Sequence, residues 1–270
     1  MKPAPFAYER PATVGEAVRI LAELPGAKIL AGGQTLGPML NLRLAQPEMI
    51  VDIGRIPELA QVTEEAGAIS IGATVTHAAI EDGRVSDPAG GFLRDIAKGI
   101  AYRAVRTRGT IGGSLAHADP AADWLSVLTA LGAEVAIAGS HGSSRTVALA
   151  AFARGAMQTD LAPDEVVVAV RVLKFSRAAR FGYHKICRKT GEFAEAIGVA
   201  VEDSERGIRR LVAGATEGRP IVLNPQGDLK SLSVAALESS LAAAGYDPDP
   251  YALKLHAVAL QRACQEAWAS

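Results

Sequence analysis

Cysteine is scarce in this chain, and its scarcity limits the metal chemistry that the chain can support. Of 270 residues only two are cysteines, Cys187 and Cys264. Two thiols cannot supply the four ligands of an iron–sulfur cluster, and their spacing is not that of a zinc site. We therefore predict no metal-binding residue, and any metal centre belongs to another chain. We expect free thiols in a reducing compartment, although a disulfide between the two stays open at this point.

An excess of basic residues and a long apolar run are also missing. The 28 lysines and arginines are balanced by 29 acidic residues without a basic block, which excludes the electrostatic pattern of a nucleic-acid-binding protein. The longest apolar stretches, such as Val147 to Ala153, are too short to span a bilayer, and the N-terminus carries no apolar core segment. We expect no nucleic-acid partner, no transmembrane segment and a cytoplasmic location.

The remaining composition is that of a folded globular protein that mixes helices with strands. Hydrophobic residues make up 49% of the chain and charged residues 21%, as in ordinary soluble domains. A capping-box pattern at Thr13 and Glu16 precedes one helix, and Asp119 is placed to cap another. Periodicity predicts further helices over 92–98, 120–131, 234–244 and 251–268. Short apolar runs predict strands over 28–31, 50–53, 69–71, 134–138, 165–172, 197–201 and 211–215.

A charged segment from Arg177 to Arg180 separates two parts of this pattern, and we place a domain boundary there. After it, two strands are followed by two helices. That order predicts an α+β unit whose sheet is covered on one face.

Two pairs of glycines are the features most typical of a binding site. Gly32-Gly33 ends a short apolar strand and is followed by Gln34-Thr35. Gly112-Gly113 is flanked by Thr110-Ile111 and Ser114. A nucleotide diphosphate needs hydrogen-bond donors, and main-chain N–H groups approach it closely only where no Cβ intervenes. We predict two loops that close on one ligand. Neither has the glycine spacing of a Rossmann site or a P-loop, which indicates a different nucleotide-binding fold.

Three segments carry a resemblance to a known family. They are AGGQTLGPMLNLRLAQPEMIVDI (31–53), TIGGSLAHADPAADW (110–124) and YHKICRKTGEFA (183–194). In order and spacing they resemble the flavoprotein subunits of the xanthine dehydrogenase and carbon monoxide dehydrogenase family, which are molybdenum hydroxylases. The resemblance covers nearly the whole chain, and TIGGSLAHADPAAD is its most specific part.

The resemblance implies an α+β chain with an FAD-binding fold of the vanillyl-alcohol oxidase (PCMH) type. Two FAD-binding subdomains are expected at residues 1–55 and 56–176, and a small C-terminal α+β domain at 177–270. It also implies non-covalent FAD, a small partner subunit with [2Fe–2S] clusters and a large partner subunit with the molybdopterin centre. These subunits are expected to form a dimer of heterotrimers.

By the same resemblance, most cofactor-binding residues lie in the two glycine segments. No catalytic residue of the chain itself is implied, because the redox chemistry belongs to the cofactor. The residues expected around the diphosphate and ribityl portion are Ala31, Gly32, Gly33, Gln34, Thr35, Leu36, Thr110, Ile111, Gly112, Gly113 and Ser114. His117 is expected to touch the flavin region. Asp119 and Asp123 are expected to reach ribityl or adenosine hydroxyl groups from one helical face.

Residues farther along the chain are implied at the flavin ring. Lys185 matches a lysine beside the isoalloxazine, where a cation stabilises the anionic reduced flavin. Tyr183 lies two positions away on the same strand face and is a candidate to pack against the ring, with core packing as the alternative. Ile100 and Val167 correspond to apolar contacts around the adenine and ring system.

The implied function is electron transfer by an oxidoreductase component. FAD on this chain is expected to take electrons from the [2Fe–2S] clusters and pass them to an external acceptor, after substrate hydroxylation at molybdenum. Two alternatives remain at this stage. One is a flavin-free scaffold subunit of such a complex, and the other is a stand-alone FAD-dependent reductase of the same fold.

Overall fold

The computed structural model of the protein describes residues 2–269, in which short helices and strands alternate until the last third of the chain. The strands are, in chain order, β1 (Ala7–Glu9), β2 (Lys28–Leu30), β3 (Met49–Asp52), β4 (Val62–Glu64), β5 (Ala68–Gly72), β6 (Glu134–Ala138), β7 (Ser144–Ala148), β8 (Ala153–Gly155), β9 (Gln158–Thr159), β10 (Val166–Leu173), β11 (Arg180–Ile186), β12 (Ala196–Asp203), β13 (Ile208–Gly214) and β14 (Ile221–Leu223). The helices are α1 (Val14–Glu23), α2 (Leu36–Asn41), α3 (His77–Glu81), α4 (Phe92–Gly99), α5 (Arg103–Arg106), α6 (Ile111–His117), α7 (Asp123–Ala130), α8 (Leu149–Phe152), α9 (Val234–Ala243) and α10 (Pro250–Glu266).

The first sheet is parallel and lies in the order β1-β3-β2. Helix α1 covers it, and the predicted cap is present because Thr13 Oγ1 accepts a hydrogen bond from Glu16 N at 3.2 Å. Val18 of α1 and Val51 of β3 lie in one buried cluster. Since the strands are parallel, the segments after β2 and β3 leave from the same sheet edge. The first glycine pair follows β2, whose Ile29 and Leu30 are half-buried, at this edge.

The second sheet is antiparallel and lies in the order β4-β5-β10-β6-β7. Its strands share the largest apolar cluster with helices α4, α6 and α7. Val166 of β10 belongs instead to the cluster of α1. The sheets of residues 7–52 and 62–173 thus pack against each other through α1, with β10 in contact with both cores.

The predicted loop at Gly112-Gly113 is wrong, because these residues form the first turn of helix α6. Thr110 caps that turn, since its Oγ1 accepts a hydrogen bond from Gly113 N at 3.1 Å. Glycine lowers helix propensity, but the cap and the contacts with the segment before α3 hold the turn in place.

The helix predicted from Pro120 is also shorter than expected and begins at Asp123. Asp119 does not cap it. Its Oδ1 accepts a hydrogen bond from Ala121 N at 2.9 Å in a preceding turn, and Ala122 is the N-cap residue without a side-chain bond. Asp119 and Asp123 therefore do not share one helical face.

The third sheet lies in the order β11-β12-β13-β14, and its central strands pack on both faces. Ile197, Val199 and Val201 of β12 join the large cluster that contains α7. Ala200 and Leu211 join the cluster of α9 and α10. The expected α+β unit covers one face with its own helices, as predicted. Its other face packs on α7, which is buried along its whole length.

Two absences can be stated for residues 2–269. No helix there combines the length and the apolar composition that a bilayer crossing needs. Cys187 and Cys264 form no disulfide, as expected, and burial raises the pKa of the Cys264 thiol to about 12.

Candidate functional site

The two glycine segments are in direct contact. A Cβ placed on Gly32 would lie 2.1 Å from the carbonyl oxygen of Arg108, a separation that no side chain tolerates. A Cβ placed on Gly113 would lie 3.9 Å from Ala31 Cβ. Segments that are distant in sequence thus meet at one place, and glycine at position 32 is required for that approach.

The first glycine segment presents unused main-chain donors. Within residues 2–269, the backbone N–H groups of Gly32 to Leu36 donate no hydrogen bond to a protein acceptor. Gly33 has φ +72°, and Thr35 has helical torsions before α2. Successive N–H groups in such a mixed backbone conformation form an anion-binding concavity. The Gln34 and Thr35 side chains at this place are exposed.

The second glycine segment uses its main-chain donors within the protein. Gly112 N donates to Ala73 O at 3.0 Å, and Ser114 N donates to Thr110 O at 3.0 Å. Gly113 N donates to the Thr110 hydroxyl that caps α6. A Cβ on Gly112 would lie 2.5 Å from that of Ala73, so glycine is needed here for packing. The expectation of free main-chain donors holds only for the first segment. The second offers the half-buried Ser114 side chain, whose hydroxyl bonds to no protein atom among residues 2–269.

A buried ion pair lies at the start of α7. Lys185 Nζ is 2.9 Å from Asp123 Oδ1 and 3.4 Å from Gly99 O. The Tyr183 hydroxyl donates to the same Asp123 oxygen. Burial raises the pKa of the Tyr183 phenol well above its ordinary value, and the Asp123 carboxylate adds to the shift. The phenol therefore stays protonated and remains a hydrogen-bond donor. Tyr183 and Lys185 thus contact one carboxylate from the same face of β11, as the strand spacing predicts.

The comparison with known families decides the identity of this site. A family described as the FAD binding domain in molybdopterin dehydrogenase matches residues 4–172. The chain belongs to that family.

Characterised members of the family are similar over most of their length. The carbon monoxide dehydrogenase medium chain of Hydrogenophaga pseudoflava is 39% identical over 233 residues, which cover 84% of this chain and 79% of the relative. The caffeine dehydrogenase subunit beta of Pseudomonas sp. (strain CBB1) is 33% identical over 225 residues, covering 82% of this chain and 76% of the relative. This member of the molybdopterin dehydrogenase family is therefore an FAD-binding oxidoreductase component of the medium-subunit type.

Solved structures confirm the predicted fold. A chain of the H. pseudoflava carbon monoxide dehydrogenase that lacks the Mo-pyranopterin moiety of its cofactor superposes with a TM-score of 0.87 at 34% identity, covering 100% of this chain and 99% of that one. Quinoline 2-oxidoreductase from Pseudomonas putida 86 gives a TM-score of 0.86 at 32% identity, covering 99% of this chain and 98% of that one. The α+β, PCMH-type FAD-binding fold is thus the fold of this family member.

A pair of buried side chains, which no sequence pattern predicts, lies next to the second glycine segment. Trp124 Nε1 donates to His77 Nδ1 at 2.9 Å, across a separation of 47 residues. The His77 main chain donates to Gly109 O at 2.9 Å. Burial, and secondarily the Arg106 cation, lower the pKa of His77 to about 4. The neutral imidazole therefore carries its proton on Nε2 and accepts at Nδ1.

The other residues implied by the family resemblance are scattered around these groups. Leu36 is the first residue of α2, and His117 lies half-buried in the last turn of α6. Ile100 follows α4, and its carbonyl accepts from Arg106 Nη1 at 2.8 Å. Val167 is buried in the large core cluster with 4% exposure. Direct cofactor contacts of these residues, and of Asp119, remain predictions.

Proposed function

We propose that FAD binds with its diphosphate against the N–H groups of Gly32 to Leu36. The observation that carries this proposal is the set of consecutive main-chain donors without protein acceptors in that segment. Donors of this kind match a diphosphate, whose oxygens accept hydrogen bonds and carry negative charge. Ser114 adds a hydroxyl from the adjoining segment. The residues present therefore fit the cofactor that the family binds.

The same proposal places the flavin ring near Lys185 and Tyr183. When bound, FAD supplies the capacity to take up electrons one at a time and to release two. The chain's own residues position it and set its electrostatic surroundings. Lys185 provides a buried positive charge, which Asp123 compensates. The Tyr183 hydroxyl donates a hydrogen bond to the same oxygen of Asp123. Proteins tune a bound cofactor through groups of this kind.

The proposed setting is a three-subunit molybdenum hydroxylase. The small subunit would carry the [2Fe–2S] clusters and the large subunit the molybdopterin centre at which substrate is hydroxylated, with an external electron acceptor at the flavin. The similarity to carbon monoxide and caffeine dehydrogenase subunits supports this assignment. A dimer of heterotrimers, a cytoplasmic location, and subdomains at 1–55, 56–176 and 177–270 belong to the same proposal.

The test is FAD binding by the full chain. Purified protein freed of flavin is titrated with FAD, and about one equivalent is expected to bind. Gly33→Val forces a β-branched residue into a backbone with φ +72°, which disfavours the conformation that presents the donors. We expect this variant to lose FAD binding while keeping its fold, as checked by circular dichroism and thermal melting.

The matched control is Gly67→Val. Gly67 is exposed in the β4–β5 turn, and a Cβ there would meet nothing within 4 Å. This variant should bind FAD as the wild type does. A wild-type chain that folds correctly but takes up no FAD would contradict the proposal and favour a scaffold role. Equal FAD binding by Gly33→Val and wild type would place the diphosphate elsewhere.

A further inference from the structure

Three arginines precede α6, and two of them are committed to ion pairs. Arg103 Nη1 lies 2.6 Å from Glu81 Oε2 and 2.7 Å from Asp82 Oδ1. Arg106 Nε lies 2.7 Å from Glu81 Oε2. These contacts fasten α5 to the end of α3. Arg108 is exposed and forms no ion pair with any residue between 2 and 269. No acidic side chain among residues 2–269 therefore compensates its charge.

Arg108 is placed at the unused donors of the first glycine segment. Its carbonyl oxygen is the atom that a Cβ on Gly32 would meet at 2.1 Å. The Arg108 main chain therefore touches the residue that begins the run of free N–H groups from Gly32 to Leu36. The Arg108 side chain, whose charge no acidic residue among 2–269 compensates, thus starts from a backbone position beside a concavity that is suited to an anion.

We propose that Arg108 is a further FAD-binding residue, whose guanidinium pairs with the diphosphate of the cofactor. The inference rests on the proposed function. Guanidinium groups match phosphate oxygens in a two-pronged geometry, so they add specificity as well as attraction. Because Arg108 is exposed, its contribution is modest and is screened by salt. Arg108 therefore distinguishes FAD from a flavin without phosphate.

The experiment compares Arg108→Gln with wild type in titrations of the full chain with FAD and with riboflavin. At about 0.05 M salt, Arg108→Gln should bind FAD about fivefold more weakly. At about 0.5 M salt the two proteins should bind FAD almost equally, because the Debye length is then only a few ångströms. Riboflavin affinity should be the same for both proteins at either salt concentration. Arg108→Lys should recover most of the low-salt affinity.

The control is Lys254→Gln, which removes one positive charge from an exposed position on α10 and should leave FAD binding unchanged. Wild-type FAD affinity in Arg108→Gln at low salt would overturn this inference alone. An equal loss of FAD and riboflavin affinity would also overturn it, because a change in loop position affects both ligands. A wild-type chain that binds no FAD would overturn the proposed function together with this inference.

Discussion

Lys185 Nζ lies 2.9 Å from Asp123 Oδ1, and both side chains are only 10% exposed. The cation that the family resemblance places beside the isoalloxazine is therefore compensated within the protein. A buried pair of this kind leaves an uncompensated charge when one partner is removed. In the proposed site, the carboxylate therefore limits how strongly Lys185 favours a negatively charged flavin.

Asp123→Asn should raise the midpoint potential of bound flavin, because it leaves the Lys185 charge uncompensated. We expect a rise of about 30 mV, which corresponds to roughly 1.4 kcal/mol for a two-electron couple. Spectrophotometric redox titration of the FAD-loaded chain measures it. Asp95→Asn is the control, since Asp95 pairs with Lys98 on the exposed surface of α4. An unchanged or lower potential in Asp123→Asn would contradict the assignment of Lys185 to the flavin.

Trp124→Phe should lower the free energy of unfolding by about 1 to 3 kcal/mol. The substitution keeps most of the apolar ring but leaves His77 Nδ1 without its donor in a buried site, and an unsatisfied buried group costs about that much. Urea unfolding followed by circular dichroism measures the change. Trp268→Phe is the matched control, because Trp268 is half-buried near the end of α10. Equal losses in both variants would show that the bond to His77 contributes little.

His77 makes stability depend on pH. Burial and Arg106 lower its pKa from 6.5 to about 4 in the folded chain, so the unfolded chain takes up the proton first as pH falls. The free energy of unfolding should therefore decrease between about pH 6.5 and pH 4, by up to about 3 kcal/mol from this residue. His77→Gln lacks the titration, and its stability should decline less between about pH 7 and pH 4.5. Parallel pH profiles for both proteins would refute this.

Asp203 fixes the connection into the third sheet. Burial opposes its ionisation, but hydrogen bonds from Ser176 N, Ser176 Oγ and Arg206 N lower its pKa below the ordinary value. Asp203→Ala should lower the free energy of unfolding by about 2 to 3 kcal/mol, because it leaves several donors without an acceptor. Ser176→Ala removes one of these bonds and should cost about 1 kcal/mol. Denaturant unfolding measures both losses. A smaller loss of unfolding free energy in Asp203→Ala than in Ser176→Ala would contradict the prediction.

The sequence predicts well wherever local chemistry is sufficient. Thr13 and Glu16 mark the start of α1, and the alternation of apolar residues gives β6 its observed bounds. The pairing of Asp123 with Lys185 follows from no local pattern. Only the family resemblance predicted that both residues lie near one cofactor.

Where the prediction failed, a distant contact or a competing local hydrogen bond decided the local structure. The glycines at 112 and 113 argue against a helix, yet Thr110 and Ala73 stabilise its first turn. Proline after Asp119 indicates a helix start, yet that aspartate closes a turn instead. Sequence alone also could not separate N–H groups that remain free from those already bonded, because the acceptor at Ala73 lies far away along the chain.

Helix α7 begins with Asp123 at the proposed ring site, and β12 and β13 cover the side of it that the second sheet leaves open. Arg210 of β13 also donates to Ala130 O at 2.6 Å, at the far end of the same helix. The last third of the chain therefore covers the helix that begins at the proposed ring site. We therefore expect unfolding of these strands and release of bound flavin to occur together.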